Sequence, residues 1–374
     1  MSPRVLHVLQ PTEAGVANVA LALAGDQRAR GWHVTVACPP QGSAWQTLIT
    51  DGFDTRAWPA TRSPGPRSLG EAVGLARIVR QVDPDIVHLH SSKAGFAGRL
   101  AVRDRVPTIF QPHGWSFLAI EGPLHTLAVR WERLATRWVD TTVLVSEGEA
   151  EISSEVDIGG RQLVLANGVD IDRFVPASPA ERLGMRAARD VSPTAPVAVC
   201  VGRLCRQKGQ SRLVNVWPTV REAVPEAVLV LVGDGPDRAE LEAAATDGVR
   251  FVGAHVDVRP WLAVADFAVF PSRWEGMSLA LLEAMASGLA IVATDVAGVR
   301  DVVDATCGIV VAPHVRAELV ASLIELSREA TGRVALGAAA RARAVDAFSW
   351  RRTADMWAAV YDEIFIRRGP RPWR

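Results

Sequence analysis

Short apolar runs alternate with helix-period stretches along the whole chain. In the first half the runs are RVLHVL (4–9), WHVTVAC (32–38), DIVHLH (85–90), PTIFQ (107–111), TTVLVS (141–146) and QLVLA (162–166). Helical patterns lie between them, around 16–30, 68–82, 93–103, 124–138 and 147–155. That rhythm predicts a parallel sheet with helices on both faces. Four prolines at 176, 179, 193 and 196 interrupt it, and a second series follows: VAVCVGRL (197–204), AVLVLVG (227–233), VRFVG (249–253), DFAVF (266–270), LAIVAT (289–294) and GIVV (308–311). The expected architecture is α/β, with two doubly wound Rossmann-like domains facing a cleft. Residues 1–175 form the first, 176–196 a linker and 197–348 the second, and an amphipathic helix at 349–366 packs back on the first.

Length and composition agree with this division. A chain of 374 residues exceeds one ordinary core. With 41 basic and 41 acidic side chains there is no global field to attract nucleic acid. Cys38, Cys200, Cys205 and Cys307 show neither C-x-x-C spacing nor a histidine cluster beside them, so free thiols in a reducing compartment are expected. The first apolar run is broken by Pro11 and Glu13, and nowhere is there an uncharged apolar stretch of about 18 residues. A cytoplasmic protein without export signal or membrane span is therefore expected.

The chemistry concentrates in PSRWEGMSLALLEAMAS (271–287). FAVF reads as a buried strand, Pro271 and Gly276 as a turn, and SLALLEAMA as a helix. Glu275 then sits beyond a strand's carboxyl end, where open parallel sheets bind ligands. The helix opening near Ser278 aims its free N–H groups, around Met277, Ser278 and Leu279, at the same place. Glu283 lies one to two turns further on; alone it would read as a solvated helix position, but its neighbours are almost all apolar, and a buried carboxylate requires a partner. In VGRLCRQKG (201–209), Arg203 and Lys208 occupy the loop after the second series' first strand. Either alone reads as a solvated cation. Together, on the rim of an anion-seeking helix end, they point to a diphosphate.

Other candidates are weaker. LVGDGP lacks the third glycine of a dinucleotide fingerprint, and RQKGQS cannot be aligned as a P-loop. Gly15 marks a strand-to-helix turn that admits close backbone approach. His113, in QPHGWSF, follows a strand end and faces the expected cleft, although a lone histidine there also serves as a structural hydrogen-bonder. His88 and His90 are expected on opposite faces of a strand, out of reach of a common ion. Asp83-Pro-Asp85 and Asp170-Ile-Asp172 are expected as turns and caps, not as the metal-binding Asp-x-Asp of the GT-A architecture.

Arg203 and Lys208 in VGRLCRQKG, the LVGDGP turn, NGVD (167–170), and Glu275 and Glu283 in EGMSLALLEA resemble the retaining glycosyltransferases of family 4, which have the GT-B fold. The resemblance spans essentially the whole chain and is densest in the second half. It implies a nucleoside-diphosphate sugar as donor, with Arg203 and Lys208 on its diphosphate, Glu275 and His113 on the transferred sugar, and Glu283 on the ribose hydroxyls. Gly276, Met277, Ser278 and Leu279 complete the donor site, while Gly15 lets the first domain's loop close over the diphosphate. No cofactor and no metal are implied. Two departures are Glu-Ala-Gly-Val at the first loop, where many members carry paired glycines, and Met277-Ser278 in place of a frequent Phe-Gly.

The alternatives are an epimerase or phosphorylase on the same two-domain plan, and a non-catalytic nucleotide-sugar-binding protein that would not need Glu275 or His113. HSSKAGFAGRL and PHGWSF resemble segments of bacterial envelope polysaccharide transferases, which suggests a lipid-linked hydroxyl acceptor; a soluble natural product is the other class. In LHTLAVRWERLATRWVD (124–140), Leu127, Trp131, Leu134 and Trp138 share a stripe beside Arg130, Arg133 and Arg137, and the tail IRRGPRPWR adds further arginines and Trp373. This is either a core-facing stripe with a basic edge or a peripheral membrane contact.

Overall fold

The computed structural model describes residues 2–368 apart from 63, 64 and 66; the expected contribution of Trp373 lies outside them. Contacts divide the chain into two compact units, one of residues 1–167 with 353–374 and the other of residues 168–352.

The first unit runs β1 (Arg4–Leu9), α1 (Ala14–Ala29), β2 (His33–Cys38), α2 (Ser43–Thr50), β3 (Asp54–Ala57), α3 (Ser68–Val82), β4 (Ile86–His90), α4 (Ser91–Val102), β5 (Thr108–Gln111), α5 (Pro123–Ala135), β6 (Thr141–Leu144), α6 (Glu147–Glu155) and β7 (Gln162–Val164). Its sheet has the order β3-β2-β1-β4-β5-β6-β7, every pair parallel. Strands buried on both faces read as continuous apolar runs, which is why most were visible in the sequence. On one face Leu6, Val8, Val87, Leu89 and Phe110 pack with Leu75, Ala94 and Ala97 of α3 and α4. On the other, Leu9 and Val36 meet Ala17, Ala20 and Ala24 of α1.

The second unit runs α7 (Pro179–Ala187), β8 (Val197–Val201), α8 (Gln210–Ala223), β9 (Val228–Val232), α9 (Arg238–Ala244), β10 (Val249–Gly253), α10 (Arg259–Val264), β11 (Phe267–Phe270), α11 (Leu279–Ala286), β12 (Ala290–Thr294), β13 (Gly308–Val311), α12 (Arg316–Arg328) and α13 (Ala330–Ala347). The sheet order is β10-β9-β8-β11-β12-β13, again all parallel. Leu213, Trp217 and Val220 of α8 pack with Leu319 and Leu323 of α12 over Ala198, Leu229 and Val269. The last helix, α14 (Trp350–Arg368), leaves this unit, and its residues from Thr353 onward belong to the first.

Four segments differ from expectation, the first being α2, which lies outside the helical patterns named above. The proline-rich stretch 176–196 is more than a linker: Ser178 and Glu181 form a reciprocal capping box with Pro179 in the first turn, and this starts α7. Arg182 and Arg186 then reach Asp266 at 2.7 and 2.6 Å, tying α7 into the second unit. β3 is an edge strand with mostly exposed residues, so no apolar run announces it. In α5 the buried positions are Val129, Glu132 and Ala135, while Leu127 and Leu134 of the expected core stripe are 57% and 44% exposed. The reason is Glu132, which forms a two-pronged ion pair with Arg99 at 2.7 and 3.0 Å and turns its own side of the helix inward. Only the aromatic part of the stripe packs, Trp131 lying against Phe96 with centroids 4.6 Å apart.

Candidate functional site

In the second unit the strand order reverses between β8 and β11, so the loops leaving their carboxyl ends diverge and open a crevice. The β8 loop carries Arg203 and Lys208; the β11 loop carries Glu275. Gly209, which caps α8, has φ 68°, and a Cβ there would overlap the carbonyl oxygen of Pro271. Only glycine allows the two loops this close. Lys208 Nζ consequently lies 2.5 Å from Glu275 Oε1, an oxygen that also accepts from Ser272 Oγ at 2.8 Å. Glu275 is 7% exposed, and these partners compensate its burial. The lysine has three donors and retains capacity for an incoming anion. Arg203 is exposed and its guanidinium pairs with no carboxylate among the described residues; its carbonyl accepts from Gln210 Nε2 at 3.0 Å.

The same crevice receives the start of α11. Its N-cap, Ser278, makes no side-chain cap bond, and its first turn holds no acidic residue. The positive end of the helix is left for a ligand. Gly276, Met277 and Ser278 are buried and Leu279 half-buried, and Gly298 presses so closely on Gly276 that a Cβ there would overlap its carbonyl oxygen. Glu283 lies one turn along the helix with no hydrogen-bond partner for its carboxylate among the described residues. Burial pushes it from 4.5 up to about 7, Arg173 opposing and Asp257 adding to the shift. It is an open acceptor, suited to hydroxyl donors. Asp170 is turned onto its own loop, accepting from the N–H groups of Asp172 and Arg173 at 3.1 and 3.0 Å, as a turn-forming aspartate does.

The raised Glu283 sets a pH dependence. The native state binds this proton more tightly than the unfolded chain does, so stability falls as pH rises from 4.5 through about 7. Glu283→Gln should therefore stabilise the protein at pH 8 by about 3 kcal/mol and leave it unchanged near pH 4. Urea unfolding at the two pH values reads the difference; an equal effect at both would show that the carboxyl is not perturbed.

In the first unit, Gly15 is the second residue of α1, directly after Ala14, whose backbone is left-handed with φ 61°. Gly15 thus keeps the helix start bare rather than bending the chain. α1 also lacks a side-chain cap and an acidic first turn. His113 follows β5 with φ 55°, and Gly114 with φ 102°. A residue absent from the sequence reading holds this turn: the Glu149 carboxylate accepts from the N–H groups of Gly114 at 2.6 Å and Val145 at 2.8 Å, and its carbonyl accepts from Trp115 Nε1 at 2.9 Å. Burial pushes Glu149 up to about 7, the two backbone donors opposing. Ser146-x-x-Glu149 has the spacing of a capping box, and this was the available signal. Ser146 does cap α6, through the Glu149 N–H at 3.1 Å, but the carboxylate reaches across to the His113 turn.

The expectation that His88 and His90 face opposite ways fails. Residues two apart on a strand share a face, and their rings stack with centroids 3.9 Å apart. His7, the register partner of His88 on β1, joins them.

Comparison with known proteins covers both units. Residues 14–173 match the family described as Glycosyltransferase Family 4, and residues 195–329 match Glycosyl transferases group 1. A GDP-mannose-dependent alpha-mannosyltransferase of Mycolicibacterium smegmatis is 32% identical over 378 residues, 96% of each chain. A GDP-mannose-dependent monoacylated alpha-(1-6)-phosphatidylinositol monomannoside mannosyltransferase of Corynebacterium glutamicum is 35% identical over 198 residues, 50% of this chain and 52% of that protein. The match thus spans about half the length of that relative. Among solved structures, Anabaena HepE in complex with UDP and glucose superposes with a TM-score of 0.82 at 20% identity, over 96% of this chain and 99% of that one. Sucrose-phosphate synthase from Thermosynechococcus elongatus gives 0.82 at 21%, over 98% and 100%. At these identities the structural likeness speaks for the two-domain GT-B fold.

Proposed function

We propose the following reaction for this chain, which belongs to glycosyltransferase family 4: transfer of a sugar from a nucleoside-diphosphate sugar to a hydroxyl acceptor, with retention at the anomeric carbon and without a metal ion. The observation that carries it is the junction of Lys208, Glu275 and the uncapped start of α11 at the switch point of one sheet. Breaking the sugar C1–O bond leaves charge on the diphosphate. Arg203, Lys208 and the first N–H groups of α11 supply fixed positive potential where that charge develops. Glu275, held by Lys208 and Ser272, meets the transferred sugar. Glu283 accepts from the ribose hydroxyls, and His113 contacts the donor sugar from the first unit.

The relatives named as GDP-mannose-dependent make GDP-mannose the first donor to test. We assign a lipid-linked or glycan acceptor to the chain, in polysaccharide or glycoconjugate synthesis. Release of GDP from GDP-mannose, compared with UDP-sugars, with and without acceptor and in the presence of EDTA, tests this reading. Acceptor-dependent release that survives EDTA is expected. Release without acceptor would mean transfer to water, conversion of the donor without net GDP release would favour an epimerase, and loss restored by manganese would remove the metal-free mechanism.

The exposure of Leu124, Leu127 and Leu134 on α5, beside exposed Arg130, Arg133 and Arg137, supports a peripheral membrane contact. No helix among the described residues is long and apolar enough to cross a membrane. Anionic liposomes should retain the protein at low salt and release it at high salt. Equal partitioning to neutral liposomes would exclude the electrostatic attachment.

A further inference from the structure

The first unit contains a connected layer of histidines, with His7, His88 and His90 buried and His113 half-buried at its end. His7 Nε2 is 2.7 Å from Gln27 Oε1, His7 Nδ1 is 2.9 Å from His90 Nε2, and His90 Nδ1 is 3.2 Å from His113 Nε2. His7, His88 and His90 also bring nitrogens within 4.8 Å of one another. An ion would need lone pairs that converge in the ring planes. Of these rings only His88 and His90 stack face to face, with centroids 3.9 Å apart at 27°, so their lone pairs do not converge, and the facing nitrogens of His7 and His90 already bond each other edge to edge. The layer is a hydrogen-bond chain.

Burial lowers His7 to about 4, His113 to about 3, and His90 well below its ordinary value. At neutral pH each ring then carries one proton, one donor and one acceptor, so the direction of any link dictates the next. Gln27 Oε1 can only accept, which makes His7 Nε2 the donor and His7 Nδ1 an acceptor. His90 Nε2 must therefore donate and His90 Nδ1 accept. His113 Nε2 donates in turn. These proton positions are assigned from the network.

We infer that Gln27, His7 and His90 are positioning residues that hold His113 as its Nε2–H tautomer, leaving the Nδ1 lone pair as a hydroxyl acceptor. His113 Nδ1 makes no hydrogen bond among the described residues, and within the ring it faces away from Nε2 and hence from the chain of histidines. A neutral acceptor takes the O–H of a sugar and repels a phosphate oxygen, so the relay makes this position selective for a hydroxyl on the donor sugar. The selectivity rests on the reading of His113 as a donor-sugar contact; the tautomer does not.

The test uses the full-length protein labelled with 15N-histidine, the His113 signals being assigned by their loss in His113→Asn. A pyridine-type Nδ1 and a pyrrole-type Nε2 are expected in the wild type. The reverse pattern, which a Gln27 amide turned through half a circle would impose, overturns the proposal. Gln27→Met keeps the buried volume but removes the acceptor, and should give His113 both tautomers and lower kcat/KM for the donor about tenfold. An unchanged His113 spectrum in that variant also overturns the proposal. A changed spectrum with undiminished donor turnover upholds the relay and removes the donor-sugar reading of His113 instead.

Discussion

Replacing Lys208 with alanine should lower kcat by roughly 100- to 1000-fold, the loss typical of removing one stabiliser of transition-state charge. The side chain reaches the crevice through Gly209 and stands 2.5 Å from Glu275, so the substitution removes both the cation for the leaving diphosphate and the partner of a buried carboxylate. These effects separate experimentally. Loss of charge stabilisation appears in kcat with donor saturating, whereas misplacement of Glu275 appears as a lowered melting temperature in the free protein. Arg203→Ala should show the kinetic defect without the thermal one, because its guanidinium is exposed and makes no ion pair among the described residues. Near-normal turnover in both variants would remove the diphosphate assignment.

The largest stability effect is expected far from that crevice, at Arg99. Its guanidinium is 1% exposed, bonds both oxygens of Glu132, donates through Nε to the Gly95 carbonyl at 2.8 Å and lies 4.1 Å from the Phe110 ring centroid. Arg99→Ala leaves a carboxylate buried without its cation, a change that costs about 3 to 5 kcal/mol. Arg99→Met combined with Glu132→Leu removes both charges and conserves volume, and should recover most of that loss. Urea unfolding of the single and double variants measures the coupling. A double variant as unstable as Arg99→Ala would mean that packing, not the stranded charge, dominates.

Legibility in the sequence followed physical context. Strands inside the two sheets announced themselves because burial on both faces demands unbroken apolar runs; β3, at an edge, carries Asp54 and Arg56 and gave no such sign. Arg203, Lys208 and Glu275 were visible because their loops leave the central strands, where topology alone brings ligand and protein together. Glu149 was hidden because its helix-capping spacing has an ordinary explanation, while its carboxylate serves a turn 35 residues away. The histidine layer was missed through parity: positions 88 and 90 point the same way, and a parallel register brings His7 beside them. The stripe on α5 left its inward side open, because the residue that decides it is polar: Glu132, in a buried ion pair with Arg99, claims that side.

The path of α14 bears on how the protein is made. Thr353 to Arg368 return to a unit whose other residues all precede Gly168, and Tyr361 on this helix bonds His88 at 2.7 Å while Trp32 stacks edge-on against it. During translation the amino-terminal sheet must wait for the ribosome to release the whole of the next unit before its histidine layer is covered. Residues 168–352, by contrast, are contiguous, so the later half of the message encodes the first half of the molecule that can be finished.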